Sequence, residues 1–146
     1  MRSTLSPEKA ESLRFSRLSP EGKDRVFKCH QFSHSAQPAE IKAVWSIQGF
    51  TGEFRLTGPD IFQIAAQSLI IGVRSVHQLD ESNSTVWLRR FSLDCNKPVL
   101  QSDPLQVAVF IEKELQGDRG LYVTARFDIE SGSHVGELKL VFQKAV

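Results

Sequence analysis

The sequence has little cysteine, and its positive and negative charges nearly cancel. Cys29 and Cys95 are the only cysteines among 146 residues, too few for a disulfide framework or, by themselves, for a zinc site. Lys and Arg total 18 against 17 for Asp and Glu, so the formal net charge is +1. This balance argues against nucleic acid or an anionic membrane as the main partner, because both attract strongly basic surfaces.

The sequence also lacks a long uninterrupted apolar run. The most apolar stretch, residues 61–76, is too short and too often interrupted by polar residues to span a bilayer. The N-terminal residues, Met-Arg-Ser-Thr-Leu-Ser, do not contain the apolar segment of a signal peptide. We therefore expect a cytoplasmic protein with a single core, which a chain of this length can bury.

Several catalytic motifs are missing. The sequence contains no Gly-x-Ser-x-Gly elbow, no phosphate-binding glycine loop and no dinucleotide-binding fingerprint. Cys29, His30 and His34 lie close in sequence, but their number and spacing fit no standard zinc pattern. We expect neither a metal nor a cofactor.

The first forty residues carry two helix-start signals. Leu5-Ser6-Pro7-Glu8 is repeated as Leu18-Ser19-Pro20-Glu21, and each copy offers a capping serine, a first-turn proline and an acid. The pattern predicts short helices over about 7–17 and 20–29, followed by a polar connector over 31–38. We interpret residues 1–38 as a helical extension.

From residue 39 the pattern changes to alternation and then to a long helix. Alternating apolar residues predict a strand over 39–48, and residues 53–56 predict a brief second strand. A helix is predicted from Pro59 to Gln78, capped by Thr57 or Gly58, with Asp60 in its first turn. Its apolar residues occupy more than one stripe, so protein must surround it on most sides.

The second half of the chain predicts strands. Alternation is visible over 86–95, with an offset at Arg89-Arg90, and again over 105–111, 121–129 and 136–142. Short glycine-containing turns join the last three, which predicts an antiparallel meander. The predicted class is α+β, with a sheet that curves round one buried helix.

This order of elements resembles the hotdog fold, in which a curved antiparallel sheet wraps a long helix. The most family-like segments are GPDIFQIAAQSLIIG (58–72) and LRRFSLDCNKPVLQSDPLQVAVFIEKE (88–114). The resemblance covers 39–146, which it identifies as a hotdog domain. It implies a homodimer or higher homo-oligomer, because members of this superfamily complete the core and the active site between two subunits.

Two branches of the superfamily are similar to this sequence. In the β-hydroxyacyl-ACP dehydratases an acidic residue on the helix precedes an Ala-x-Ala-Gln segment. Gln67 corresponds to the glutamine of that segment. Gln63 stands where the catalytic carboxylate would be, and the His-Phe-Pro-Gly loop of that branch is missing.

The long-chain fatty acyl-CoA thioesterases of the FcoT-like type are nearer. Their Tyr-x-Arg-x-Thr-Gly segment before the helix resembles residues 53–58, in which Arg55, Thr57 and Gly58 match and the tyrosine does not. Ala66 replaces the asparagine of that branch. The resemblance implies processing of acyl thioesters.

Gln63 and Gln67 lie one helical turn apart and share a face of the predicted helix. A buried amide requires hydrogen-bond partners. Either both side chains bond to loop backbone or a partner subunit, or one or both contact an acyl thioester or a water beside it. A glutamine has no group basic enough to act as a general base.

The start of the helix is the predicted oxyanion site, because unpaired amides and the helix dipole favour a developing negative charge. With Pro59 lacking an amide hydrogen, Asp60 and Ile61 supply the expected donors; alternatively, Thr57 acts there as an ordinary cap. Glu53 is the candidate general base. Asp60 competes for that role, but the dipole should keep it ionised and weakly basic.

Arg89, Arg90 and Lys97 are candidates for binding the phosphates of coenzyme A or of a carrier-protein arm, although isolated basic residues on strands are usually only solvated. The sequence thus favours hydrolysis of a fatty acyl-CoA or acyl carrier protein thioester. Dehydration of a 3-hydroxyacyl thioester and a non-catalytic acyl-binding or scaffold subunit remain the alternatives.

Overall fold

A computed structural model describes residues 2–16, 18, 25–36, 39–49 and 53–144. Their helices and strands are, in chain order, β1 (Arg2–Leu5), α1 (Pro7–Leu13), β2 (Val26–Ala36), β3 (Ala39–Gln48), α2 (Gly58–His77), β4 (Ser84–Cys95), β5 (Leu105–Gly117), β6 (Gly120–Ile129) and β7 (His134–Lys144). The strands form one sheet in the order β1-β2-β3-β5-β6-β7-β4. Every neighbouring pair is antiparallel.

Helix α2 is the centre of the core. Fourteen of its 20 residues are buried, in a run that covers nearly the whole span from Asp60 to Arg74. Side chains of the sheet pack against one side of the helix, including Ile41, Val107, Val109 and Phe127, which are all at most 3% exposed. At Gly72 an added Cβ would collide with the Ile41 side chain, so glycine is what allows α2 to approach β3 this closely.

The N-terminal segment covers another side of α2. Ala10 and Leu13 of α1 are buried in the same core as the helix, and Phe15 packs against it. Sheet on one side and N-terminal segment on the other explain why the apolar residues of α2 spread over more than one stripe.

The structure confirms the predicted class and most of the predicted elements. The strand over 39–48, the long helix and the meander of β5, β6 and β7 occur where they were predicted. Strand β4 carries a bulge between Leu88 and Arg90, at the predicted offset.

The interpretation of the first forty residues was wrong in part. Helix α1 begins at the predicted proline, but residues 26–29 of the second predicted helix are strand, and 19–24 lie outside the described residues. The connector predicted over 31–38 was wrong for residues 31–36, because β2 continues to Ala36 and pairs with β3; residues 37 and 38 lie outside the described residues. The division of the chain expected after residue 38 stays a prediction. The brief strand predicted over 53–56 is irregular.

Within the described part of the chain, no helix combines the length and the apolar character needed to cross a membrane.

Candidate functional site

The start of α2 is closed by a capping box between Thr57 and Asp60. The Asp60 amide donates to Thr57 Oγ1 at 3.4 Å, and the Thr57 amide donates to Asp60 Oδ2 at 2.9 Å. The amide of Ile61 donates to the Thr57 carbonyl at 3.0 Å, as the first helical bond. In this conformation the amides of Asp60 and Ile61, predicted as oxyanion donors, are used by the helix itself.

The Asp60 carboxylate is buried and faces a cation. Arg25 Nη1 lies 3.6 Å from Asp60 Oδ2, and the Arg25 guanidinium stacks over the Phe54 ring at 5.2 Å. Asp60 is only 3% exposed. Since one carboxylate oxygen both caps the helix and faces Arg25, Asp60 acts here as an anchor of the helix start.

Glu53, the candidate base, is exposed in the irregular segment before α2. The residues that follow Glu53 are held in place: Phe54 is buried, and the Leu56 amide donates to the Val99 carbonyl at 3.1 Å. The carboxylate therefore stands in solvent, on a backbone fixed close to the helix start.

Gln63 and Gln67 line a cavity of about 510 Å³ together with residues of the N-terminal segment and β2, among them Phe15 and Phe27. We call this cavity the glutamine cleft. Gln63 and Gln67 are 4% and 2% exposed. The structure thus brings the two amides to one cavity, and Glu53 is not among its described lining residues.

Gln67 binds the N-terminal segment through both of its polar atoms. Its Oε1 accepts from the Phe15 amide and its Nε2 donates to the Phe15 carbonyl, each at 2.9 Å. The Gln67 side-chain amide thus makes the same pair of hydrogen bonds with the Phe15 backbone that a residue of a neighbouring β-strand would make. A substrate contact by Gln67 would require these two bonds to open.

Arg74 fastens the same segment and is a residue whose importance the sequence analysis missed. Its guanidinium is fully buried and donates to the carbonyls of Leu13 at 3.0 Å and Arg14 at 2.9 Å. It also donates to the Ser84 hydroxyl and carbonyl, both at 3.1 Å. Burial lowers the pKa of Arg74, and Glu81 acts in the opposite direction. In the sequence, Arg74 is a basic residue near a helix C-terminus. That position indicates a favourable interaction with the helix dipole but not the buried contacts with the N-terminal segment.

A second candidate surface lies on the other side of the helix start, between α2 and β4. It consists of Phe62 of α2 with Leu88, Phe91 and Leu93 of β4, and we call it the edge strip. Phe62 and Phe91 meet edge to face at 5.1 Å, and Phe91 stacks on buried Phe127 at 5.8 Å. Phe62, Phe91 and Leu93 are half-buried, and Leu88 is 50% exposed.

The edge strip leads to the start of α2. A Cβ placed on Gly58 would lie 3.9 Å from Leu93 Cδ2, an ordinary van der Waals distance. Gly58 and Leu93 are therefore neighbours. Phe62 and Gln63 are consecutive and project about 100° apart on a helix of about 3.6 residues per turn. Consequently the edge strip and the glutamine cleft lie on different faces of α2.

Strand β4 is one border of the sheet, so its outer edge pairs with no other described strand. Its Trp87 side chain is 60% exposed and donates from Nε1 to Gln143 Oε1 at 3.0 Å. Arg89 stacks over the Tyr122 ring at 5.0 Å, and Arg90 Nε lies 3.8 Å from Glu137 Oε1. Both arginines belong to β4 and are exposed.

Comparison of the fold with solved structures finds proteins of similar architecture. A mutant thioesterase from Pseudomonas aeruginosa superposes with a TM-score of 0.57 at 11% identity, over 79% of this chain and 81% of that one. The PaaI protein from the phenylacetic acid degradation operon of E. coli gives 0.50 at 12% identity, over 94% and 95%. A mutant thioesterase from Staphylococcus aureus gives 0.50 at 10%, over 72% and 84%.

At such low identities the likeness concerns the fold alone, and it supports the hotdog fold predicted from the sequence. No protein-family model matches the sequence, and no curated protein matches it. The resemblance to the FcoT-like branch stays a prediction.

Proposed function

We propose that this protein hydrolyses acyl thioesters, with the acyl chain on the edge strip and the thioester group at the start of α2. The observation that carries the proposal is the half-buried apolar strip that ends beside Gly58. An apolar surface next to a helix start suits a ligand with an aliphatic tail and a carbonyl head. The likeness of the fold to two thioesterases supports the same reaction class.

Two groups at the helix start are suited to hold the thioester oxygen. Gly58 is the first residue of α2, and an amide at that position has no acceptor within its own helix. The Thr57 hydroxyl accepts from Asp60, which leaves its own hydrogen for a substrate carbonyl. In our proposal these two donors stabilise the oxyanion, and Asp60 and Ile61 hold the turn that carries them.

Glu53 is the proposed general base that activates the attacking water. Its exposure leaves it accessible to water, and the buried Phe54 beside it limits the movement of the backbone. A positioned base contributes about a hundredfold or more in rate. In our proposal Gln63 orients a polar group in the glutamine cleft, and Gln67 supports it by fixing Phe15.

We propose a homodimer that pairs β4 with its copy. The edge of β4 is 12 residues long, and its Trp87 and Leu88 side chains are 60% and 50% exposed. A long edge that pairs with no other described strand is a template for a further strand. Antiparallel pairing of two β4 strands would extend the sheet and cover the edge strip, which turns an open surface into a tunnel for the acyl chain.

Arg89 and Arg90, both exposed on β4, are the proposed contacts for the phosphates of the carrier. In coenzyme A and in the phosphopantetheine group of a carrier protein, the arm that bears the thioester is attached to a phosphate. The two arginines could therefore bind either carrier. Comparing acyl-CoA with acyl carrier protein at matched acyl chains identifies the carrier.

Release of free thiol from acyl-CoAs of increasing chain length tests the proposed reaction. We expect turnover that rises with chain length and falls about a hundredfold in Glu53→Gln. Glu8→Gln, which changes an exposed acid of α1, is the matched control and should retain full activity. A folded protein that releases no thiol from CoA or carrier-protein substrates contradicts the proposal. Stabilisation by acyl-CoA without product would instead indicate the acyl-binding subunit.

A further inference from the structure

A cysteine and a histidine meet where β4 and β7 pair. Cys95 Sγ lies 3.2 Å from His134 Nε2, and the two residues are cross-strand partners at the end of the ladder. The Lys97 carbonyl is a second, more distant acceptor for the thiol, at 3.9 Å. Cys95 is exposed, whereas His134 is 2% exposed. The thiol is thus accessible from solvent while the imidazole behind it is enclosed.

Ser133 determines which nitrogen of His134 carries the proton. The Ser133 hydroxyl donates to the Ile129 carbonyl at 2.7 Å, so its hydrogen is already used. Its oxygen, 3.1 Å from His134 Nδ1, must therefore accept a hydrogen from that nitrogen. Consequently Nε2 carries the lone pair and points at the Cys95 thiol.

This is the arrangement of an activated nucleophile: thiol, base and a third group that orients the base. Burial lowers the pKa of His134 below its ordinary value of 6.5, so the imidazole is neutral at neutral pH and its lone pair is available. The other cysteine differs in each respect. Cys29 is 3% exposed, its thiol donates to the Gln31 carbonyl, and burial raises its pKa to about 12.

The edge strip points along β4 toward this thiol. Phe91, Leu93 and Cys95 are alternate residues of one strand and so share a face of the sheet. Leu93 is the neighbour of Gly58, and Cys95 lies about 7 Å further along the strand at about 3.3 Å per residue. An acyl chain on the edge strip would therefore place its carbonyl carbon within reach of either the helix start or Cys95.

We propose that Cys95 accepts the acyl group from a thioester substrate, with His134 as the base and Ser133 as the positioning residue. The Cys95 sulfur attacks the carbonyl carbon as its proton moves to His134 Nε2. The carbon–sulfur bond to the carrier then breaks, and the proton passes from His134 to the departing thiolate. A thioester on Cys95 replaces the thioester on the carrier, and water releases the acid in a second step. The inference rests on the substrate class of the proposed function.

Alkylation with iodoacetamide tests the activated thiol without any substrate. We expect Cys95 to react at neutral pH and Cys29 not to react, with the modified cysteine assigned by peptide mass. In His134→Gln and Ser133→Ala the Cys95 rate should fall about tenfold or more, because the thiolate is the reactive form. Labelling of Cys29 in the same sample would report unfolding. A Cys95 rate that is the same in wild type, His134→Gln and Ser133→Ala overturns the assignment of His134 as base.

Acid-quenched mass spectrometry with acyl-CoA tests the transfer. We expect a mass increase of one acyl group on Cys95, its loss in Cys95→Ala, and thiol release at least tenfold slower in Cys95→Ala than in wild type. Cys29→Ala is the matched control and should retain adduct and release. Release undiminished in Cys95→Ala, with no adduct in wild type, overturns this inference and leaves the proposed hydrolysis standing. An adduct on Cys95 with release that stops at one thiol per protein overturns hydrolysis alone, and neither adduct nor thiol release overturns both.

Discussion

Replacing Gln67 by leucine should detach the N-terminal segment from α2. The substitution keeps the approximate size of the side chain and removes the two bonds of 2.9 Å to the Phe15 backbone. Each bond contributes about 1 kcal/mol net, and each backbone group left without a partner costs about 1–3 kcal/mol if water cannot replace it. Phe15 is half-buried, so water compensates in part. We expect the free energy of unfolding to fall by about 2–4 kcal/mol.

Urea unfolding measures this loss, and hydrogen exchange locates it. Gln116→Leu is the matched control: Gln116 is exposed on β5, and a surface change of this kind alters stability by less than about 0.5 kcal/mol. Amide exchange in Gln67→Leu should accelerate over residues 10–16 more than in β6, at the centre of the meander. A loss below about 0.5 kcal/mol, or uniform acceleration, would refute the role of Gln67 as a clamp.

Three further outcomes follow from the contacts at the helix start, the histidines and the sheet edge. Thr57→Ala removes one half of the capping box and should lower the free energy of unfolding by about 1 kcal/mol in thermal or urea denaturation. Burial lowers the pKa values of His34 and His134 from 6.5 in the folded state, with Arg2 adding to the effect at His34. Their contribution to stability is therefore full above pH 6.5 and is lost as the pH falls, so the urea midpoint should drop on acidification, and less steeply in His134→Gln. Leu88→Lys on the exposed edge of β4 should shift the protein toward monomer in analytical ultracentrifugation, since charges on an edge strand oppose pairing; an unchanged mass would refute pairing through this edge.

Long elements with a clear period were predictable from the sequence. Helix α2 has a proline and an acid in its first turn and an apolar run too broad for a surface helix, and the structure places it inside the sheet. The strand over 39–48 and the meander alternate strictly enough to reveal which side chains are buried.

Strand β2 was mistaken for a helix and a connector because a bulge breaks its alternation. Its buried residues are Phe27, Cys29 and Phe32, spaced by two and then by three. The extra residue lies at the irregularity between Cys29 and Gln31. After the bulge the buried side chain falls at an even-numbered position, whereas before it the buried side chains fall at odd-numbered ones. An alternating pattern therefore cannot be recognised across the bulge. The helix-start signal at Ser19-Pro20 then favoured the wrong element.

The candidate site was only partly predictable, because its contacts join distant parts of the chain. The shared face of Gln63 and Gln67 follows from helical spacing, but the partner of Gln67 is 52 residues away at Phe15. Cys95 and His134 are 39 residues apart and meet only through the register of β4 with β7. Single-sequence patterns reveal local periodicity and carry no information about such pairings.

Amide chemical shifts measured with a thioether analogue of a long-chain acyl-CoA test the central claim most directly, because the analogue binds without reacting. We predict that the largest changes fall on the edge strip and the helix start, at Gly58, Phe62, Phe91 and Leu93. Two results would contradict the placement of an acyl thioester between α2 and β4. One is saturable binding with the largest chemical-shift changes at other residues, and the other is no chemical-shift change at analogue concentrations well above those at which enzymes ordinarily bind their substrates.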